Sequence, residues 1–431
     1  MGSRLLWRRS ATAVGLYTAM ALGILGTIVA ARGFSVAEFG LYATVLAATG
    51  FFQSLLDLTV EDSLTKYGFR YVVAEDWGRL RRLFRRALEL KLAGGVLAAV
   101  ALLALAPFAN WIFGAEGLAI PLVIASALPL VQAPENVATT ALLLRGRYDL
   151  RALFQSISMA LRLLAIMIGV QLGLAETMAG IVLAQIVATV AVAVTGIVAF
   201  RRFPTEPATA LAEDRRGIVS FMLQSSVSTG LISLRNAFAP LLLGIAAGPT
   251  QVGLFRIAQA PQTGFNSASA PVRLILLTEQ THDWERGRIE RVLAGVRHYT
   301  LAAFMLSLAV VPIFYWLMPR LIEFVFEARY LPATDAARII LFAAAVQLTV
   351  GWAKSFPVSI GRPGLRLLTT GIETALLLPL VLVLGLQWGA TGAAFALLLS
   401  SLAYALSWFV LYLRISREPR PLPSPTGLLA P

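Results

Sequence analysis

Cysteine is absent from the 431 residues of the sequence, and histidine occurs only twice, at His282 and His298. The chain therefore has no disulfide, thiolate nucleophile or cysteine metal ligand, and two histidines in one polar stretch argue against a histidine-built metal centre. Charged residues are scarce at 14%, against roughly 25% in ordinary soluble domains. Phosphate-binding loops (Gly-x-x-x-x-Gly-Lys-Ser/Thr), His-Glu-x-x-His motifs and Gly-x-Ser-x-Gly motifs are also missing. We expect no catalytic site, no metal and no cofactor.

The sequence is instead rich in long apolar segments. Hydrophobic residues make up 58% of it, more than a soluble protein of this length could bury, so lipid must surround much of the chain. A spanning helix needs about 20 mostly apolar residues. We therefore predict an all-α polytopic membrane protein with about twelve transmembrane helices. The predicted helices are residues 10–31, 38–60, 90–113, 118–144, 150–173, 177–200, 217–247, 251–277, 297–318, 333–356, 365–386 and 389–413.

The loops between these helices alternate in charge. Together the two termini and the even-numbered loops hold 26 Lys and Arg, whereas the odd-numbered loops hold three, namely Arg32, Arg320 and Arg329. Because Lys and Arg accumulate in cytoplasmic loops, the pattern predicts an even number of helices and cytoplasmic N- and C-termini. The same rule accounts for the net charge of +13 without nucleic acid as a partner.

Two segments are expected to lie outside the bilayer core. From Glu75 to Leu88, apolar and basic residues take opposite sides at helical spacing, which predicts an amphipathic helix lying on the anionic cytoplasmic leaflet. Residues 416–431 are rich in proline and are predicted to form a disordered cytoplasmic tail.

The second half of the chain repeats weak features of the first. Residues 146–151 reappear as 361–366 and residues 40–42 as 253–255, and all four such matches are offset by 207 to 215 residues. Each half holds six predicted helices, so both halves insert with the same polarity. Such parallel repeats are typical of transporters. We predict two parallel six-helix bundles, residues 1–205 and 206–415, around a central cavity that opens by alternating access.

Charged side chains inside spans are costly and tend to mark function. Arg235 and Arg162 lie midway along predicted helices, Arg256 lies about one turn into helix 8, and Arg32 lies at the outer end of helix 1. Guanidinium groups bind phosphate bidentately, so these arginines predict an anion in the pathway, while amides suit sugar hydroxyls. The predicted substrate-binding residues are Arg235, Arg256, Arg162, Arg32, Asn236 and Gln259.

Acidic residues inside the spans give a second set of candidates. Asp57 and Glu373 are the predicted sites for a coupling proton or cation. The alternative for the intramembrane charges is internal pairing, for example Arg162 with Glu135 or Arg235 with Asp57. Lys91 lies near a helix boundary, where its side chain is expected to snorkel to the membrane surface.

Residues 31–42 (Ala-Arg-Gly-Phe-Ser-Val-Ala-Glu-Phe-Gly-Leu-Tyr) resemble the link between the first two helices of polysaccharide flippases. These are the O-antigen and exopolysaccharide lipid-carrier exporters of the multidrug/oligosaccharidyl-lipid/polysaccharide (MOP) superfamily. Residues 326–333 resemble that family's segment before helix 10, with Glu327 where the family usually has glycine. Residues 111–114 are similar to its counterpart in the first half. The similarity covers about residues 10–415.

The resemblance implies a function. The substrate would be an oligosaccharide on an undecaprenyl pyrophosphate carrier, moved from the inner to the outer leaflet of the bacterial inner membrane for polysaccharide biosynthesis. Arg235 and Arg256 would suit the pyrophosphate and glycan in a cationic cavity, and an ion gradient would supply the energy. Besides the lipid-linked glycan and membrane lipid, a polysaccharide polymerase and a chain-length regulator are candidate partners.

Three other functions stay open. An ion-coupled multidrug antiporter of the same superfamily should favour acidic residues in its cavity, whereas this chain places more arginine than carboxylate at depth. A peptidoglycan-precursor flippase usually has fourteen helices. A membrane glycosyltransferase would need catalytic carboxylates near a sizeable outer loop, and the longest predicted here is residues 319–332.

Overall fold

The computed structural model describes residues 2–56, 60–211, 214–265, 280, 282–284, 286–360 and 362–417. Across these residues the protein is built of helices without β-strands. The helices are α1 (Gly2–Gly33), α2 (Val36–Leu56), α3 (Val60–Val73), α4 (Trp77–Leu105), α5 (Ala109–Phe113), α6 (Ala119–Ala125), α7 (Ala127–Leu144), α8 (Tyr148–Gly169), α9 (Leu174–Arg201), α10 (Arg215–Ser233), α11 (Ala239–Ala247), α12 (Pro249–Ala258), α13 (Ile289–Phe326), α14 (Thr334–Thr349), α15 (Phe356–Ser359) and α16 (Pro363–Arg417).

Nine helical segments of the described chain are long and apolar enough to cross a membrane. They are Thr12–Gly33, Val36–Leu56, Trp77–Phe113, Ala119–Leu144, Tyr148–Gly169, Leu174–Arg201, Ile289–Phe326, Ala328–Thr349 and Gly364–Arg417. Non-helical backbone at Gly389 (φ 56°, ψ −131°) divides the last of these in two, where the sequence predicted the break between helices 11 and 12. Arg235–Ala247 is a further, shorter apolar helix. The predicted fold, an all-α polytopic membrane protein of about twelve spanning helices, is confirmed.

The chain forms two compact units, residues 1–253 and 254–431. In the first unit α8 packs along α1, and α7 and α9 pack on each other. Small residues line these contacts: a side chain at Gly196 would meet the backbone of Ala138 at 2.8 Å. Close approach of backbones through small residues is the usual basis of helix association in lipid. The division into six-helix bundles at residues 205 and 206 stays a prediction.

The segment predicted to lie on the membrane surface forms the first part of α4 and runs without a break into the spanning part of that helix. Its apolar side is covered by protein, because Leu80 and Phe84 are buried in a core with Tyr67 and Tyr71 of α3. The prediction of a separate surface helix was therefore wrong. An apolar stripe on a basic helix cannot tell whether lipid or a neighbouring helix will cover it.

The segment after α9 packs against α3 and the first turn of α4. Phe203 is buried and stacks on Trp77 with ring centroids 5.4 Å apart. Asp214 pairs with Arg70 at 3.2 Å and accepts a hydrogen bond of 2.9 Å from the Tyr71 hydroxyl. Burial and this hydrogen bond to Asp214 raise the pKa of the Tyr71 hydroxyl above its ordinary value.

The second unit is centred on α14 and α16, with an aromatic core of Trp352, Phe356, Tyr404 and Trp408. Between α13 and α14, Glu327 adopts φ 74° and ψ 162°, a region that is essentially restricted to glycine. The geometry explains why the flippases that the sequence resembles have glycine here. In this chain Glu327 is held by an ion pair with Arg329 at 2.6 Å. Residues 418–431 of the predicted tail lie outside the described residues, whereas 416 and 417 end α16.

Candidate functional site: intramembrane arginines and two amide ladders

Arg235 lies on an irregular turn within an apolar helical stretch of the first unit. Leu234–Phe238 form a π-helical turn between α10 and α11. Pro240 explains its position, because proline cannot donate to the carbonyl four residues earlier and its ring crowds that carbonyl. Such turns widen the helix and are frequent at functional sites. The turn contacts α2, since Phe238 stacks on Phe51 at 4.8 Å. Arg235 is half-buried, and Asn236 beside it is exposed.

Arg162 belongs to a polar stripe on α8. Arg151, Gln155, Ser158 and Arg162 recur at spacings of four, three and four residues, which places them on one side of the helix. The opposite side carries exposed apolar residues such as Leu153 and Leu164. On a helix in lipid, a polar stripe opposite the apolar side must face protein or water.

The stripe lies between two packed sides of the same helix. Ala152 of α8 contacts Gly15 of α1, and Ala165 of α8 contacts Gly180 of α9. Arg162 is half-buried, and no hydrogen bond or ion pair joins it to Glu135 among the described residues. The pairing of Arg162 with Glu135 was therefore wrong: Glu135 accepts a 2.7 Å hydrogen bond from the Gln185 amide instead.

The other predicted substrate residues are distributed along the chain. Arg32 is exposed in the last turn of α1. Arg256 is exposed on α12, and Gln259 follows it, half-buried, in the second unit. Their role in binding, like that of Arg235, Arg162 and Asn236, stays a prediction.

The two predicted ion-coupling residues have different outcomes. Asp57 lies outside the described residues, so its coupling role stays a prediction and the alternative that it pairs with Arg235 stays open. Glu373 lies on α16 and is 2% exposed, with buried threonines at positions 369, 370 and 374 around it. Its burial agrees with the predicted intramembrane position, and its coupling role stays a prediction.

Three glutamines form a hydrogen-bonded chain across the first unit, which we call the N-terminal ladder. The amide of Gln53 on α2 donates to the side-chain oxygen of Gln132 on α7 (2.7 Å), and Gln132 donates to Gln185 on α9 (3.0 Å). Gln185 then donates to Glu135 at 2.7 Å and to the Thr189 hydroxyl at 3.0 Å. Every amide donates in the direction of Glu135, whose carboxyl oxygen is the acceptor at the end of the chain.

A matching chain, the C-terminal ladder, crosses the second unit. Gln262 donates to Gln347 on α14 (2.9 Å), and Gln347 donates to the hydroxyl of Ser401 on α16 (2.9 Å). The corresponding members of the two ladders are 209, 215 and 216 residues apart, which extends the internal repeat. The ladders differ at the end: three residues after Gln132 comes Glu135, whereas three after Gln347 comes Val350.

The sequence identified Gln53 and Gln347 only as intramembrane amides and missed the ladders. The signal that could have found them was available, because the polar residues recur at nearly the offset of the repeated motifs. Side-chain direction was the missing information, since three helices must turn their amides towards one another.

A buried ion pair lies near the N-terminal ladder. Lys91 of α4 is 1% exposed and its ammonium lies 2.6 Å from the carboxylate of Glu61, which is 34% exposed. The expectation that Lys91 snorkels was wrong, because α3 covers it and supplies the counter-charge. Lys91, Gln53, Gln132 and Asn136 line a cavity of about 10 Å³, close to the volume that one water molecule requires.

Comparisons with known proteins agree with this architecture. The sequence model of the family described as "Polysaccharide biosynthesis protein" matches residues 9–272. No curated protein sequence matches the chain. Among solved structures, an inward-facing multidrug resistance MATE family transporter of the MOP superfamily is similar, with a TM-score of 0.76, 17% identity, and 94% of this chain and 98% of that chain covered.

Two further solved structures share the fold. The lipid II flippase MurJ, in an inward closed conformation, has a TM-score of 0.71 and 13% identity over 94% of this chain and 89% of that chain. A MOP superfamily transporter from Pyrococcus furiosus, described as having a binding pocket of reverse polarity, has a TM-score of 0.63 and 16% identity over 96% and 95%. At these identities the likeness establishes the fold.

Proposed function

We propose a transport function for this chain, which belongs to the polysaccharide biosynthesis protein family, as its resemblance to polysaccharide flippases predicted. It would be a transporter rather than an enzyme. Its substrate would be an oligosaccharide repeat unit linked to undecaprenyl pyrophosphate, moved by alternating access between two helix bundles. We place it in the bacterial inner membrane with both termini in the cytoplasm, where the charge of its loops would put them.

The observation that carries the proposal is the position of Arg235. A half-buried guanidinium on a π-helical turn, beside an exposed amide, places a cation within a predicted span, where charged side chains tend to mark substrate or ion pathways. A pyrophosphate supplies several acceptor oxygens in the geometry that guanidinium binds best. Asn236 can donate to and accept from sugar hydroxyls. Arg162, on its polar stripe, is a second cation of the same unit.

The substrate class favours cations over carboxylates in the pathway. Arg162, Arg235 and Arg256 are all at least partly accessible, whereas Glu373 is buried and Glu135 is tied into the N-terminal ladder. A transporter of organic cations would need accessible carboxylates in its pathway and few accessible arginines. This charge distribution supports a pyrophosphate-linked glycan as the substrate over a cationic drug.

Gene deletion with complementation tests the proposal. Deletion should abolish surface or secreted polysaccharide and cause the undecaprenyl-linked repeat unit to accumulate on the inner leaflet. Wild type should rescue, Arg235→Ala should not, and Arg235→Lys should rescue partly if charge matters more than the guanidinium geometry. Arg291→Ala, the same change at an exposed position of α13, is the matched control and should rescue fully.

Two results would contradict the proposal. Intact polysaccharide in the deletion strain would exclude the flippase, and sensitivity to cationic drugs would then favour a multidrug antiporter. Full rescue by Arg235→Ala, with the protein present in the membrane, would remove Arg235 from the substrate pathway.

A further inference from the structure

Glu135 is a carboxylate inside a transmembrane bundle whose described hydrogen-bond partners are neutral. It lies on α7, directly after Pro134, and accepts from Gln185 of α9. A carboxylate at such depth is costly and marks proton or ion pathways when no fixed cation neutralises it. The corresponding position of the repeat carries Val350, so the ladder architecture itself does not require an acid there.

Among the residues that the structure describes, no ion pair joins Glu135 to a charged group on the helices around α7. Lys91 of α4 pairs with Glu61 of α3. Charged residues in the N-terminal part of α4 form exposed ion pairs such as Arg86 with Glu89. Arg162 of α8 has no hydrogen bond or ion pair to Glu135 within the described structure. From α9 and α2, Glu135 and its ladder meet only amide and hydroxyl groups, and Asp57 lies outside the described residues.

The direction of the N-terminal ladder depends on the charge of Glu135. With Glu135 ionised, Gln185 must donate to it, so the Gln185 oxygen accepts from Gln132 and the Gln132 oxygen accepts from Gln53. Such a chain of aligned amides is polarised and mutually strengthened. When a proton binds, the carboxylate becomes a neutral carboxylic acid with an O–H donor of its own, and the terminal acceptor that orients the chain loses its charge.

The ladder ends on the helix that contacts the Arg235 turn. Gln53 of α2 is two residues from Phe51, and Phe51 stacks on Phe238 three residues after Arg235. Gly50 of the same helix lies against Ala237, with 4.0 Å separating a side chain placed there from the alanine methyl group. A continuous set of contacts therefore joins Glu135 to the turn that carries Arg235.

We propose that Glu135 is the proton-binding residue of this transporter, and that the N-terminal ladder and α2 transmit its charge state to the Arg235 turn. The inference deepens the proposed transport function and rests on it for the meaning of the coupling. It assigns the ligand, a proton, to a residue outside the predicted pair Asp57 and Glu373. The C-terminal ladder, which ends on a hydroxyl, supplies the matched internal control.

Infrared difference spectroscopy of the purified protein between acidic and alkaline pH tests proton binding without any glycan. Wild type should show a band from protonated carboxyl groups held inside the membrane domain, and Glu135→Gln should lose the component that Glu135 contributes, whereas a component from the buried Glu373 should stay. Glu116→Gln, the same change at an exposed glutamate between α5 and α6, should leave the band unaltered. An unaltered band in Glu135→Gln would overturn the assignment. If that variant does not fold, Glu135→Asp replaces it: the titration midpoint should shift, and an unchanged midpoint would overturn the proposal.

A fluorescent reporter on the Arg235 turn tests the transmission. Because the chain has no cysteine, Asn236→Cys provides one labelling position on the exposed side of the turn. The label's emission should titrate with pH in this background and become independent of pH when Glu135→Gln is added. Gln132→Met should weaken the response at least several-fold, and Gln347→Met should not. The proposed transmission would be overturned if the label's emission still titrated with pH in Glu135→Gln. It would also be overturned if Gln347→Met weakened the pH response as much as Gln132→Met does.

These measurements use only protein and protons, so their failure is separate from failure of the flippase proposal. Loss of polysaccharide in the deletion strain together with an unaltered infrared band in Glu135→Gln would leave the flippase standing and remove Glu135 from coupling.

Discussion

The energetic importance of the N-terminal ladder can be tested at its central residue. Gln132 accepts from Gln53 and donates to Gln185, so Gln132→Met removes two interhelical hydrogen bonds at nearly constant side-chain length. Gln53→Met removes one. In membrane proteins such bonds contribute about 0.6 kcal/mol on average and up to about 1.7 kcal/mol.

Burial differs at the two broken contacts. Gln185 is 9% exposed, so its side-chain oxygen is poorly hydrated once Gln132→Met has removed the donor. The amide of Gln53, the other partner of Gln132, lines a small cavity that can admit a water molecule. We therefore expect Gln132→Met to lower the free energy of unfolding by about 1–3 kcal/mol, and Gln53→Met by about half as much. Gln347→Met, which breaks two bonds of the C-terminal ladder, should match Gln132→Met.

Reversible unfolding of the purified protein by SDS in mixed micelles, followed by tryptophan fluorescence, gives these free energies. A cost of Gln53→Met equal to that of Gln132→Met would contradict this expectation. A free energy of unfolding of Gln132→Met within the scatter of repeated wild-type measurements would also contradict it.

Three further perturbations test single contacts. Lys91→Met should cost about 1–3 kcal/mol in the same unfolding assay, less than the loss of one partner from a fully buried pair, because the Glu61 side chain is 34% exposed; a neutral effect would contradict the pairing. Asp214→Ala should speed proteinase K cleavage of residues 204–211, which an unchanged rate would refute. Glu327→Gly should stabilise by about 1 kcal/mol, since relieved strain outweighs the lost exposed pair and the flexibility of glycine; destabilisation would contradict this.

Much of the fold could be predicted because lipid imposes strong rules on sequence. Charge-free segments of about 20 residues identified the spanning helices, and the break near Gly389 was visible as a segment too long for one span. Helix ends were harder: α13 covers Ile289–Phe326, whereas 297–318 was predicted, because amphipathic turns continue a helix beyond the apolar part.

The candidate site was predictable in residue type but not in arrangement. The sequence identified Arg235 as an intramembrane cation, yet the π-helical turn depends on how Pro240 is accommodated between two helices. Lys91 was misjudged because its counter-ion, Glu61, lies 30 positions away on another helix. Hydrogen-bond partners across three helices depend on side-chain rotation, which a single sequence does not specify.

Translocation by the purified protein tests the flippase function directly. The chain would be reconstituted into liposomes that carry an undecaprenyl-pyrophosphate-linked oligosaccharide, with and without a pH gradient, and the glycan of the outer leaflet would be measured with a membrane-impermeant glycosidase. We expect wild type to make the inner-leaflet glycan accessible and Arg235→Ala to do so at least tenfold more slowly, with Arg291→Ala as the unaffected control. Accessibility equal to that of protein-free liposomes, under both conditions, would contradict it.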